Sequence, residues 1–258
     1  MTRFSIFIAA LAAVMPAAAL AQTRPAACDL PAIATAPVAR VSDGRTLVLT
    51  DGREVRLAGL ELAPPDSAES ITALEALRML VSGQALILKA AAAKSEDRYG
   101  RLMAFVSKED GISVQTEMLR HGHARVAARG ITFCHAELFS AEREARENAR
   151  GLWANARFAA RIAERPEDIL AEKGQFTRVE GKILSVRESG ATIYMNFGRR
   201  CSRDFTVTIL RRNQRVFSAA GITPKSLEGP RIRVRGVVEQ RGGPVIEASR
   251  PEQIELTN

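Results

Sequence analysis

Two Asp-Gly pairs, Asp43-Gly44 and Asp51-Gly52, punctuate a stretch in which apolar residues alternate with polar ones. Asp-Gly supplies the backbone that a tight hairpin turn requires, so the chain on either side must pair as antiparallel strands. Val38, Val41, Leu47 and Leu49 read as the first pair, and Arg53 to Leu60 as the returning strand. In that strand Glu54, Arg56 and Ala58 alternate with Val55, Leu57 and Gly59, which turns Arg56 away from the main apolar face. A chain built on such a meander forms a sheet or a barrel.

Pro64-Pro65 breaks the pattern. Ser67 to Leu80 then carries Ile71, Leu74, Leu77 and Leu80 at three-residue steps, the period of a helix. Ala85 to Lys89 reads as a strand. Arg98-Tyr99-Gly100-Arg101 is a turn into the strand Leu102 to Val106. Val114 to Arg120 is a short helix stopped by Gly122, and Glu137 to Ala149 is an amphipathic helix ending at Gly151-Leu152-Trp153. Residues 155–176 read as a charged helical linker interrupted at Pro166. Beyond it come five short strands: Arg178 to Val186, Ala191 to Phe197, Phe205 to Ile209, Arg231 to Val238 and Val245 to Ser249. A helix-like stretch, Arg211 to Ala219, follows the third, which is an OB-barrel-like arrangement. The expected architecture is mainly β with α: an OB-type five-stranded barrel with packed helices over residues 36–154, then a second, smaller OB-like β-barrel over 177–258.

The N-terminus has a short basic start, an apolar run from Phe4 to Val14, and Ala19-Leu20-Ala21 as a small-x-small cleavage site. This reads as a signal peptide over 1–21, followed by an N-terminal arm over 22–35, and it predicts a periplasmic or secreted protein. No later run is long enough for a transmembrane span. In an oxidising compartment, Cys28 and Cys134 are the favoured disulfide, with Cys201 left free; three unpaired thiols are the alternative. No CxxC pair exists, and His121, His123 and His135 lack zinc-site spacing, so capping or surface roles suit them. The net charge is +8. Residues 22–176 are charge-balanced, whereas 177–258 hold 15 basic and 8 acidic side chains. A basic surface there favours nucleic acid or another polyanion as partner. Tyr194 is the exposed stacking candidate in that region, beside Arg199 and Arg200, while Phe197 alternates onto the core face.

Five motifs occur in a family order. Asp43-Gly44-Arg45-Thr46 resembles a D-G-D-T turn, Arg56 to Glu61 resembles R-L-x-G-h-D, and Asp97-Arg98-Tyr99-Gly100-Arg101 matches D-x-Y-G-R. The Val114 to Val126 helix region and the closing helix with its Gly-Leu-Trp end follow. Together they resemble the thermonuclease, or staphylococcal-nuclease-like, family. The resemblance implies calcium-assisted phosphodiester cleavage, with carboxylates holding the metal, a glutamate positioning water and two arginines stabilising the phosphorane charge.

Carried over residue by residue, the resemblance places Arg56 and Arg101 at the phosphate-stabilising positions, with Tyr99 beside them as a binding residue. Arg45 stands where the first metal aspartate belongs. Two unit charges 4 Å apart interact by roughly 4 kcal/mol at an effective dielectric of 20, so an inward arginine opposes a divalent cation and favours an anion. Glu61 takes the second metal position, with Asp43 nearby. Pro64 replaces the water-positioning glutamate, leaving Asp66 as the candidate base. The expectation is a degenerate nuclease that binds nucleic acid or another phosphate-rich ligand with little cleavage. It needs no cofactor, and Ca²⁺ enters only if the nuclease site is active. The alternatives are an active metal-dependent phosphodiesterase using Glu61 and Asp66, and an envelope protein-binding module.

Overall fold

The computed structural model describes residues 28, 30–91, 95–127, 134–200 and 202–257. The expected signal segment and Cys201 lie outside the described residues. Among those described, no helix is long and apolar enough to cross a membrane.

The Asp43-Gly44 turn joins β1 (Ala32–Asp43) to β2 (Thr46–Leu49), and the Asp51-Gly52 turn joins β2 to β3 (Glu54–Leu57). The expected strand Arg53 to Leu60 is two pieces, β3 and β4 (Leu60–Glu61), because Gly59 takes φ +78° between them. Helix α1 (Ala68–Val81) is capped by the Ser67 side chain, which accepts from Ser70 N–H. Strands β5 (Ala85–Ala90) and β6 (Leu102–Lys108) complete a closed barrel in the order β1-β2-β3-β6-β5. Residues 32–35, expected in the arm, lie in β1, where Ala32, Ala34 and Thr35 pair with β5. Helix α2 (Val114–Arg120), strand β7 (Arg125–Val126) and helix α3 (His135–Glu147) follow, and β7 pairs with β4. Leu47, Leu57, Leu77, Leu86, Leu88 and Leu119 are fully buried in one core beneath them.

Cys28 and Cys134 form a disulfide with Cα atoms 5.1 Å apart, across 106 residues. Such a long loop loses much unfolded-state entropy when closed. Replacing both cysteines by serine should therefore lower stability by about 2–4 kcal/mol. A urea unfolding midpoint unchanged by that replacement would show that the bridge contributes nothing.

The expected helical linker over 155–176 is not a continuous helix. Pro166 begins a helix rather than interrupting one: α4 (Pro166–Leu170) has it in the first turn, where its missing N–H costs nothing. Before it, β8 (Arg161–Ile162) pairs in parallel with β9 (Phe176–Lys182). The second β unit adds β10 (Ser185–Ser189), β11 (Thr192–Asn196), β12 (Thr206–Leu210), α5 (Gln214–Ala219), β13 (Arg231–Arg241), β14 (Gly243–Glu247) and β15 (Ile254–Thr257). The sheet has eight strands: the expected strand Arg178 to Val186 is two pieces, β9 and β10, and β8 and β15 are additional; it runs β10-β11-β12-β14-β13-β9-β8, with β15 on β13. The order from β10 to β9 repeats that of the barrel, including a parallel pair, β12 with β14, matching β3 with β6. Phe197 and Phe205 pack ring to ring at 4.9 Å inside its core, so neither offers a stacking platform.

Buried arginines join the two units. Arg235 of β13 is fully buried; it pairs with Glu142 of α3 at 2.8 Å and with Glu255, and donates to Val126 O at 3.0 Å. Arg178 lies over the Trp153 ring at 4.4 Å and donates to Phe158 O. Burial, only partly offset by Glu142, lowers its pKa to about 10.

Candidate functional site

The site starts at the turn between β1 and β2. Asp43 Oδ1 accepts Arg45 N–H at 2.8 Å, and Oδ2 accepts the Thr46 hydroxyl at 3.0 Å, so both oxygens brace the turn. Gly44 lets α1 approach: a Cβ there would sit 2.8 Å from Ala73 Cβ. Arg45 reaches across to β4, donating through Nη1 to Leu60 O and to Glu61 Oε2, each at 2.9 Å. The position expected to favour an anion thus already holds an internal ion pair. On the other side of Glu61, β7 places Arg125 directly opposite in register.

Arg125 is a site residue the sequence did not single out. It is buried, donates to Phe176 O at 2.9 Å and Leu62 O at 3.1 Å, and stacks on the Phe158 and Phe176 rings. Its Nε has no partner among the described residues. The only available signal was a charged residue inside the apolar run Ala124-Arg125-Val126-Ala127.

Arg56 stands on β3, opposite Thr46, with β6 on its other side. It is half-buried, and among the described residues it finds no hydrogen-bond or ion-pair partner. Burial first, then the neighbouring charges of Arg45 and Arg101, hold its pKa below the ordinary arginine value, against the pull of Asp43 and Glu61. Arg101 differs: Asp97 grips it through Nε at 2.8 Å and Nη2 at 2.7 Å, and its pKa is raised chiefly by that hydrogen bond. Tyr99 projects from the same turn, 65% exposed, with the Arg98 and Arg101 guanidinium groups over its ring at 4.7 and 5.0 Å. The structure therefore gathers Arg45, Arg56, Arg101, Asp43 and Glu61.

Two cavities flank the Arg45–Glu61 pair. One, about 390 Å³, is lined by Asp43, Arg45, Glu61, Pro64, Asp66, Ile71, Leu74, Arg125 and Phe176 among others. The other, about 220 Å³, holds Arg56, Arg45 and Glu61 and is walled partly by Phe176, Gly236, Val237 and Gln253. Pro64 offers no acid–base group. Asp66 is exposed, with φ +62°, on the rim of the larger cavity. Tyr194, 36% exposed, and the exposed Arg199 and Arg200 line neither cavity; the second unit reaches the site instead through Gln175, Phe176, Gly236, Val237 and Gln253. His121 caps α2, His123 lies beside it, and His135 faces Glu252 at 3.1 Å.

A calcium ion needs several free oxygens with net negative charge. Here Asp43 is committed to its turn and Glu61 to Arg45, with Arg125 opposite. Among the described residues no group of three or more His, Cys, Asp and Glu side chains could hold a metal. The residues present do not fit the ion.

The closed barrel with its D-R-Y-G-R turn and paired arginines is that of a nuclease-fold protein. The staphylococcal nuclease homologue family matches residues 70–155. An uncharacterized endonuclease of Escherichia coli O157:H7 is 31% identical over 122 residues, covering 46% of this chain and 76% of that protein. One from Escherichia coli matches to the same extent. The chain belongs to the staphylococcal nuclease family.

Proposed function

We propose that this chain is an exported nuclease-family protein that holds a phosphodiester backbone at its N-terminal barrel and cleaves it little or not at all. The Arg45–Glu61 ion pair carries this reading: it puts a fixed cation where catalysis needs a bound divalent ion, and neutralises the carboxylate that remains. Pro64 removes the water-positioning group independently. Arg56, which has no hydrogen-bond or ion-pair partner among the described residues and is pressed by Arg45 and Arg101, is relieved by an anion, and phosphate oxygens match its planar fork. Tyr99 offers an exposed ring to a base, and the basic residues of 177–258 add attraction for a polyanion. The Cys28–Cys134 bridge supports an oxidising compartment, periplasmic or extracellular.

The test is fluorescence anisotropy of a labelled single-stranded oligonucleotide. A charge-assisted contact is worth about 1.5–3 kcal/mol, so Arg56→Ala should weaken binding by roughly tenfold or more. It should also flatten the slope of log K against log salt by about one. Affinity and slope both unchanged would contradict the proposal. A second reading, a metal-dependent phosphodiesterase, is favoured by one observation: Glu61 and Asp66 line the same cavity. Cleavage by wild type that Asp66→Asn abolishes would select it.

A further inference from the structure

A groove of about 520 Å³ runs between α3 and β15, and it shares no lining residue with the two cavities beside Arg45. That volume lies within the roughly 300–1,000 Å³ typical of ligand pockets. All of β15, Ile254 through Thr257, lines it, including residues that point to opposite faces of the strand. The groove therefore follows the edge of β15. That edge is open: β15 pairs with β13 on one side, and among the described residues no strand pairs with it on the other. Its outward N–H and C=O groups are a template for one more strand.

On the α3 side, each carboxylate of the groove already has a cation. Glu142 and Glu255 hold Arg235, and Glu255 also takes Arg233 at 3.1 Å. Glu252 faces His135 at 3.1 Å and Arg250 at 3.3 Å. The two groove arginines of α3 are not matched in this way. Arg143 is exposed and has no hydrogen-bond or ion-pair partner among the described residues. Arg146, one turn further, has its side chain 25% exposed, and Glu255 stands 3.8 Å from it, beyond hydrogen-bond reach. Burial, and then the Arg233 charge, lower the Arg146 pKa against the pull of Glu255 and Glu142. On the other face of β15, Ile254 packs in the core of the second unit, while Leu256 is 68% exposed.

A strand added to β15 would turn alternate side chains to these two faces. We propose that the groove receives an extended segment of another protein, paired with β15 as a further strand, in which acidic residues facing Arg143 and Arg146 alternate with apolar residues facing Leu256. Two arginines match one or two carboxylates. A polyphosphate chain would run on past the three groove glutamates, and the groove's one aromatic ring, Phe139, already carries the Arg235 guanidinium at 4.5 Å.

The test is fluorescence anisotropy of the full chain with a labelled peptide of alternating Glu and Val. It should bind roughly tenfold tighter than the same peptide with Lys in place of Glu. In an added strand only alternate residues turn their N–H toward β15. N-methylation of one set of nitrogens, those of Glu or those of Val, should therefore weaken binding at least tenfold, and methylation of the other set should not. Arg143→Glu and Leu256→Lys, both at exposed positions, should keep the wild-type urea midpoint and each weaken the peptide at least fivefold. Absence of saturable peptide binding, equal tolerance of both methylations, or an affinity unchanged in both variants would overturn the proposal. So would a wild-type dimer, seen by sedimentation, that Leu256→Lys dissociates and that binds no peptide; the occupant would then be a second copy. Displacement of a bound oligonucleotide by the peptide, with oligonucleotide affinity lost in Arg143→Glu, would give the groove to nucleic acid instead.

Discussion

The double variant Arg45→Asp with Pro64→Glu should bind calcium, with a dissociation constant on the order of 1 mM, the weak end for oxygen-ligand sites. Wild type should give no heat on the same titration. Arg45 now donates to Glu61 Oε2 at 2.9 Å. Replacing it removes a positive charge and adds a negative one at the same place, next to a carboxylate thereby set free. Each unit charge near 4 Å is worth roughly 4 kcal/mol at an effective dielectric of 20, so the reversal is the largest electrostatic change one residue can make here. Without the ion, the introduced aspartate and Glu61 would repel each other, and the variant should melt below wild type. Calcium should raise its melting temperature and leave that of wild type unchanged. If the titrations of variant and wild type are indistinguishable, the loop from Glu61 to Ser67 is not built as the family's metal loop.

The second large effect concerns the joint between the two units. Arg235→Ala should destabilise the protein by about 3–5 kcal/mol, the range for breaking a buried pair by removing one partner. Glu142, 1% exposed, would keep, among the described residues, only the Val126 N–H at 2.9 Å, and Glu255 would lose its closest cation. The loss also removes the Arg235 contact with the Phe139 ring at 4.5 Å. A urea midpoint within error of wild type would show that the pair contributes no stability.

The same joint sets an acid limb. Burial raises the pKa of Glu255, but Arg235, through charge and a hydrogen bond, with Arg146 and Arg233, outweighs it and holds the carboxyl below the usual 4.5. A group depressed in the folded state contributes stability that is complete above the unfolded value and is lost as pH falls through the folded one. Wild-type stability should therefore decline below about pH 4.5. In Arg235→Ala, acid protonates the Glu255 carboxylate that the substitution stranded. The stability gap between wild type and variant should narrow as pH falls, as measured by urea unfolding between pH 7 and pH 3. A constant gap would show that the Glu255 carboxylate does not depend on Arg235.

The barrel was legible because its signals are local. Two Asp-Gly turns, a three-step helix after Pro64-Pro65 and the turn at Arg98 to Arg101 each fix backbone within a few residues. Arg45 was legible as a charge reversal for the same reason. Its partner was not: Glu61 comes within 2.9 Å only because β4 folds back toward the turn, a tertiary fact. Arg125 lies farther still in sequence, and only the β4–β7 pairing places it opposite Glu61. The stretch 155–176 misleads because Pro166 carries two meanings: an interruption inside a helix, or its first residue. Alternation across β11 did place Tyr194 outward and Phe197 inward, yet it could not say that β13 rather than β11 would face the Arg56 site.

The central claim is that the barrel grips phosphate without calcium-assisted cleavage. The most direct test is a nuclease assay of the purified wild type on single-stranded DNA and RNA, in millimolar calcium and in chelator. The account predicts no difference between the two conditions, with both substrates intact while oligonucleotide binding persists. Calcium-dependent fragmentation that disappears in Arg56→Ala would contradict it.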